Sequence, residues 1–121
     1  MAAPLSSTNL LPGFPSDGPG GKRMSIIDHV GPASYAQVVT GSPPTGGDVV
    51  SAVEFGLKYL DAVWGCALSD DGQYEVELSP GGQLNEPTSF VAEWITASTG
   101  SQVSALTNLS ARRIRLIAVG G

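Results

Sequence analysis

Apolar and polar side chains alternate strictly through "YEVELS" (74–79), with Tyr74, Val76 and Leu78 on one face and Glu75 and Glu77 on the other. A period of two marks a half-buried antiparallel strand. "TSFVAEWITAS" follows the same rule, setting Phe90, Ala92, Trp94 and Thr96 against Val91, Glu93, Ile95 and Ala97. "LKYLDAVWGCALS" fits two templates. Leu57, Leu60, Val63 or Trp64, and Ala67 make a helical stripe, whereas Tyr59, Asp61, Val63 and Gly65 alternate with Leu60, Ala62, Trp64 and Cys66 as in a strand. Gly65 and the aromatic content favour the strand. "VVSAVEF" is a short apolar piece closed by Gly56, Val38, Val39 and Thr40 predict an extended segment ending at Gly41, and "RRIRLIAVG" reads as a strong closing strand. Between these lie "SPPTGGD", "PGGQ" and the irregular "TGSQVSALTNLS", with Asp71-Gly72 in "SDDGQ" as a hairpin signal. Turn signals recur about every ten residues. The chain is therefore expected to be all-β, a jelly roll or β-sandwich of about six to eight antiparallel strands.

Composition supports this and adds an arm. Of 121 residues, 16 are Gly and 9 are Pro while only 14% are charged, which disfavours long helices. The opening "MAAPLSSTNLLPGFPSDGPGGKRM" is rich in Pro, Gly and Ser, so residues 1–25 are assigned as an extended N-terminal arm and 26–121 as the single β domain. Its larger apolar side chains are few, and their burial returns less than ordering so many backbone residues costs. The arm is thus expected to order by docking on a neighbour through Leu5, Leu10, Leu11 and Phe14, with Lys22 and Arg23 adding a salt-sensitive contribution.

Net charge is −5, and residues 26–121 alone carry 10 acidic against 4 basic side chains. An acidic body opposes nonspecific nucleic-acid binding, which depends on neutralising phosphates. The first residues lack the basic start and continuous apolar stretch of a signal peptide, and no run approaches the eighteen or more apolar residues of a membrane helix. A non-secreted product without membrane partners is expected. One cysteine, Cys66, permits neither an intrachain disulfide nor a Cys-based zinc site.

Candidate chemistry is sparse. His29, the one histidine, follows Asp28 and is expected at the surface or in local hydrogen bonds; Cys66, with Trp64, Gly65, Ala67 and Leu68 around it, is expected to be an inert core thiol. Asp70-Asp71 lacks the ligand series of a calcium loop, and neither "TGG" nor "PGG" opens a phosphate-binding helix. Asn108-Leu109-Ser110 matches a glycosylation sequon that matters only on a secretory route. Glu75 and Glu77 share a solvated strand face, and Arg112, Arg113 and Arg115 are expected to pair with carboxylates. Trp64 and Trp94 are expected in the core. No catalytic, cofactor-binding or metal-ligating residue is assigned, and no enzymatic activity is expected.

The "VVTG" segment, "GLKYLDAVWG", the "DDGQYEVEL" run and the ending "LTNLSARRIRLIAVGG" together resemble a group of small tailed-bacteriophage structural proteins that finish in an "IRLLAIG"-like strand. The likeness runs from Tyr35 to Gly121 and leaves the arm uncovered. It implies a jelly-roll virion protein of the decoration or cement type, made in the host bacterial cytoplasm and placed on the capsid surface. Implied partners are the major capsid protein and other copies of the chain, often as trimers. The same resemblance admits a module of the head–tail or tail region, and the β-sandwich itself also suits a receptor- or glycan-binding module.

Overall fold

The computed structural model describes residues 9–11, 16–17, 22–41, 44–68, 72–81 and 87–121. They form strands β1 (Asn9–Leu11), β2 (Ser16–Asp17), β3 (Arg23–Val30), β4 (Asp48–Ser51), β5 (Leu60–Leu68), β6 (Tyr74–Pro80), β7 (Ser89–Thr96), β8 (Ser101–Gln102) and β9 (Arg113–Gly120). A 3-10 turn, Ala52–Phe55, follows β4. Sheet I has the order β1-β3-β9-β5 with β2 also on β3, and sheet II the order β4-β7-β6 with β8 also on β7. The chain crosses between sheets at each step from β3 to β6, turns back through the β6–β7 hairpin, and returns to sheet I as β9, beside β3. This is an all-β sandwich of two antiparallel sheets, wrapped from sheet to sheet in the jelly-roll manner with the β6–β7 hairpin at its far end. No helix among the described residues is long and apolar enough to cross a membrane.

The core is built by the inward positions of both sheets. Ile27 of β3, Leu60 and Val63 of β5 and Ile114, Leu116 and Ala118 of β9 face Val50 of β4 and Phe90, Ala92 and Trp94 of β7. Tyr74 packs its ring edge-on against Trp94, with centroids 5.9 Å apart at 77°. Along one edge of β7, β4 pairs as far as Ala92 and β8 resumes at Ile95. The buried Tyr35 fills that gap: its hydroxyl accepts the Trp94 backbone N–H (3.1 Å) and donates to Gln102 Oε1 (2.8 Å). A backbone donor that neither strand reaches is thereby satisfied inside the protein.

Four expectations change. β1 and β2 pair with β3 of the same chain (Asn9 opposite His29, Ser16 opposite Met24), so the described part of the arm is an edge of its own sheet, and β3 runs across the 25/26 boundary. Val38–Thr40 is not a strand, since it contributes only an isolated bridge from Val39 to Thr45. β5 and β6 do not make a hairpin through Asp71-Gly72, because they lie in different sheets; Gly72 has φ +62°, while Asp70 and Asp71 lie outside the described residues. Finally, β5 carries an irregularity between Leu60 and Ala62, so Leu60 and Val63 both face the core and Ala62, Trp64 and Cys66 face outward. A one-residue bulge reverses the parity of everything that follows it.

Candidate functional site

The outer face of sheet I is assembled by register. Across β3, β9 and β5, Met24 stands opposite Val119 and Val119 opposite Ala62; the next outward row is Ile26, Ile117 and Trp64. Both Ile26 and Trp64 are 47% exposed, and Ile117 between them is half-buried. Three apolar side chains aligned across three strands and open to solvent form a contiguous patch rather than scattered exposed hydrophobics. Gly65 makes the close β5–β9 approach possible, because a side chain there would run into the Arg115 carbonyl and Leu116 Cδ2.

The following rows are Asp28, Arg115 and Cys66, then Val30, Arg113 and Leu68. Arg115 grips Asp28 with two parallel hydrogen bonds, Nε to Oδ1 at 2.7 Å and Nη2 to Oδ2 at 2.9 Å. Those bonds hold the Asp28 carboxyl below the usual carboxylate range although its burial acts the other way. Arg115 is still half exposed, and Arg113 forms no ion pair with another described residue. Arg112 donates to Gln73 Oε1 (2.8 Å) and lies over the Tyr74 ring. The face therefore joins an apolar centre to a guanidinium-bearing end.

Inside the sandwich, His29 is neither at the surface nor locally bonded. It is buried, with Nε2 2.8 Å from Asp48 Oδ1 and Nδ1 2.9 Å from Glu54 Oε1. Trp94 Nε1–H donates to the other Asp48 oxygen (3.1 Å), and the Ser51 N–H donates to Glu54 Oε2 (2.9 Å). The network ties β3 of sheet I to β4 and β7 of sheet II. Burial acts to lower the His29 pKa, but the hydrogen bonds to Asp48 and Glu54, with their charges, outweigh it and raise the pKa from 6.5 to about 9. A neutral imidazole has one N–H and cannot donate to both carboxylates, so this geometry belongs to the cation. With both nitrogens committed and buried, His29 has no free atom to take a proton from a substrate. The inward-facing Ser25 is four residues away along β3, about 13 Å at strand rise, which separates its hydroxyl from the imidazole.

The residues singled out in the sequence are thus dispersed. Leu5 and Phe14 lie outside the described residues, and Leu10 and Leu11 belong to β1. Lys22 bonds within the chain, to Tyr59 Oη (3.0 Å) and Asp61 Oδ2 (3.1 Å), and Arg23 opens β3 opposite Gly120. Cys66 is exposed rather than a core thiol, because the β5 bulge turns it outward. Trp94 is fully buried as expected; Trp64 is not. The Asn108 side chain of the sequon accepts the Ser110 N–H (2.9 Å), a local turn. Composition hid the exposed apolar row, because Ile26, Trp64 and Ile117 come from three distant segments, and the His29 network, because its partners are 19 and 25 residues away. No family model, curated protein or solved structure matches the chain.

Proposed function

We propose that the chain is a non-enzymatic structural protein of a tailed-bacteriophage particle, a decoration or cement protein that binds and stabilises the capsid. The observation that carries the reading is the exposed row Ile26–Ile117–Trp64 on the outer face of sheet I, ending in Arg113 and Arg115. Apolar surface held open on a rigid sheet, with arginine beside it, has the composition of a protein–protein contact. The resemblance of residues 35–121 to phage structural proteins supplies the partner: the major capsid protein, with neighbouring copies of the chain as trimers on the shell. Leu5, Leu10, Leu11 and Phe14 of the arm extend that contact.

The exposure of Trp64 favours a second reading, a receptor- or glycan-binding module, since sugars stack on exposed tryptophan. Its surroundings weigh against it: Trp64 continues the apolar row of Ile117 and Ile26, and the Asp28 carboxylate of the next row is already gripped by Arg115. Electron microscopy of particles assembled with and without the chain tests the first reading. Density of the sandwich on the shell surface, lost with Trp64→Glu, is the expected result. Density at the neck or tail would assign it elsewhere in the virion. Absence from particles, with Trp64-dependent binding to glycans, would replace the reading by the second.

A further inference from the structure

The two outer faces of the sandwich carry opposite charge. On sheet II, Glu77 of β6 stands directly opposite Glu93 of β7, and Glu75 is opposite Ile95. Glu75 and Glu77 are exposed and Glu93 half-buried, and none of the three forms an ion pair with another described residue. Like charges directly opposite one another across a ladder are destabilising. Val49, 55% exposed, and the half-buried Ile95 give the same face apolar contact points. On sheet I, the charges in the outward ladder rows are Arg113, Arg115 and the Asp28 that Arg115 already grips, beside the Ile26–Ile117–Trp64 row, while the exposed Asp61 at the β5 irregularity is paired with Lys22.

We infer that the outer face of sheet I docks on the glutamate-bearing outer face of sheet II of a second copy of this chain. Arg113 and the open side of Arg115 meet Glu75, Glu77 and Glu93, relieving the Glu77–Glu93 opposition, while Trp64 and its row cover Ile95 and Val49. This rests on reading the sheet I face as a docking surface, replaces threefold assembly, and leaves that face open to the capsid only on the terminal copy of a stack. The two faces point in opposite directions across one sandwich, so a head-to-tail contact between them does not close into a ring of three and instead repeats as an open stack.

Sedimentation velocity on the full chain tests this. At low salt the weight-average mass should climb with concentration past dimer and trimer without a plateau, and Trp64 emission should shift to the blue. In about 1 M salt, where the Debye length is about 3 Å, association should weaken at least tenfold. Arg113→Glu and Glu77→Lys alter exposed positions, and melting curves confirm that each variant folds. Each alone should associate at least tenfold more weakly, and an equimolar mixture should regain association because each variant then offers the charge the other lacks. A monomer at every concentration, a plateau at dimer or trimer, or a mixture no better than its components would overturn the inference. Particle binding is measured separately: a chain that decorates particles yet stays monomeric refutes only the stack, and one that stacks yet never decorates particles refutes only the virion reading.

Discussion

Raising the pH should unlock the sandwich through His29. The imidazolium bonds Asp48 of sheet II and Glu54 of the 3-10 turn at 2.8 and 2.9 Å, and losing its proton leaves one carboxylate facing a lone pair in a buried site. Its folded pKa, about 9, lies above the unfolded value of 6.5. The stabilisation is therefore complete below pH 6.5 and lost as pH rises through about 9. At 1.36 kcal/mol per pH unit the difference is about 3 kcal/mol, a large share of the roughly 5–15 kcal/mol that holds a domain folded. In a domain of this size it lowers the melting temperature by on the order of 10–20 °C. Urea unfolding followed from pH 6 to 10 on the wild type and on His29→Gln measures it. The wild type should lose about 3 kcal/mol across that window, while the variant should start lower and stay flat, the difference between the curves removing every other titrating group. NMR titration of the imidazole should place the folded pKa near 9. A wild-type curve parallel to that of His29→Gln, or an imidazole titrating near 6.5, would refute the lock.

Other outcomes follow from single contacts. In about 1 M salt and at low concentration, where copies are apart, acrylamide should quench the emission of one tryptophan efficiently, and Trp64→Phe should remove that component, leaving the blue-shifted Trp94; a wild type with no quenchable component under those conditions would place Trp64 in the core after all. Gly65→Ala should destabilise the fold by roughly 1–3 kcal/mol in chemical denaturation, because the new methyl meets the Arg115 carbonyl across the β5–β9 ladder. Arg115→Met strands the buried Asp28 carboxylate. Since the depressed Asp28 pKa stabilises the fold above about pH 4 and is lost as pH falls, the variant should be less stable at pH 7 and its melting temperature should depend less on pH between 7 and 3.

The alternation of "YEVELS", "TSFVAEWITAS" and "RRIRLIAVG" was enough to determine the all-β class and the inward faces of β6 and β7, because in a strand local sequence alone decides which side chains share a side. It also identified Trp94 as core and Glu75 and Glu77 as solvated. What alternation cannot carry is pairing. Asp71-Gly72 has the chemistry of a hairpin turn, yet β5 and β6 part into different sheets, β5 beside β9 and β6 beside β7. The arm's residues pair with β3 because that edge is open, which no composition reveals. The bulge at the start of β5 moved Trp64 and Cys66 from the expected core to the surface, and only the ladder with β9 reveals it. His29 became a buried cation because folding brings it against Asp48 and Glu54, and a histidine's ionisation is decided by the charges the tertiary structure sets around it. Local chemistry thus settled which segments are strands and which of their faces are apolar, while long-range register decided which faces meet water, which charges are paired, and which apolar row stays exposed.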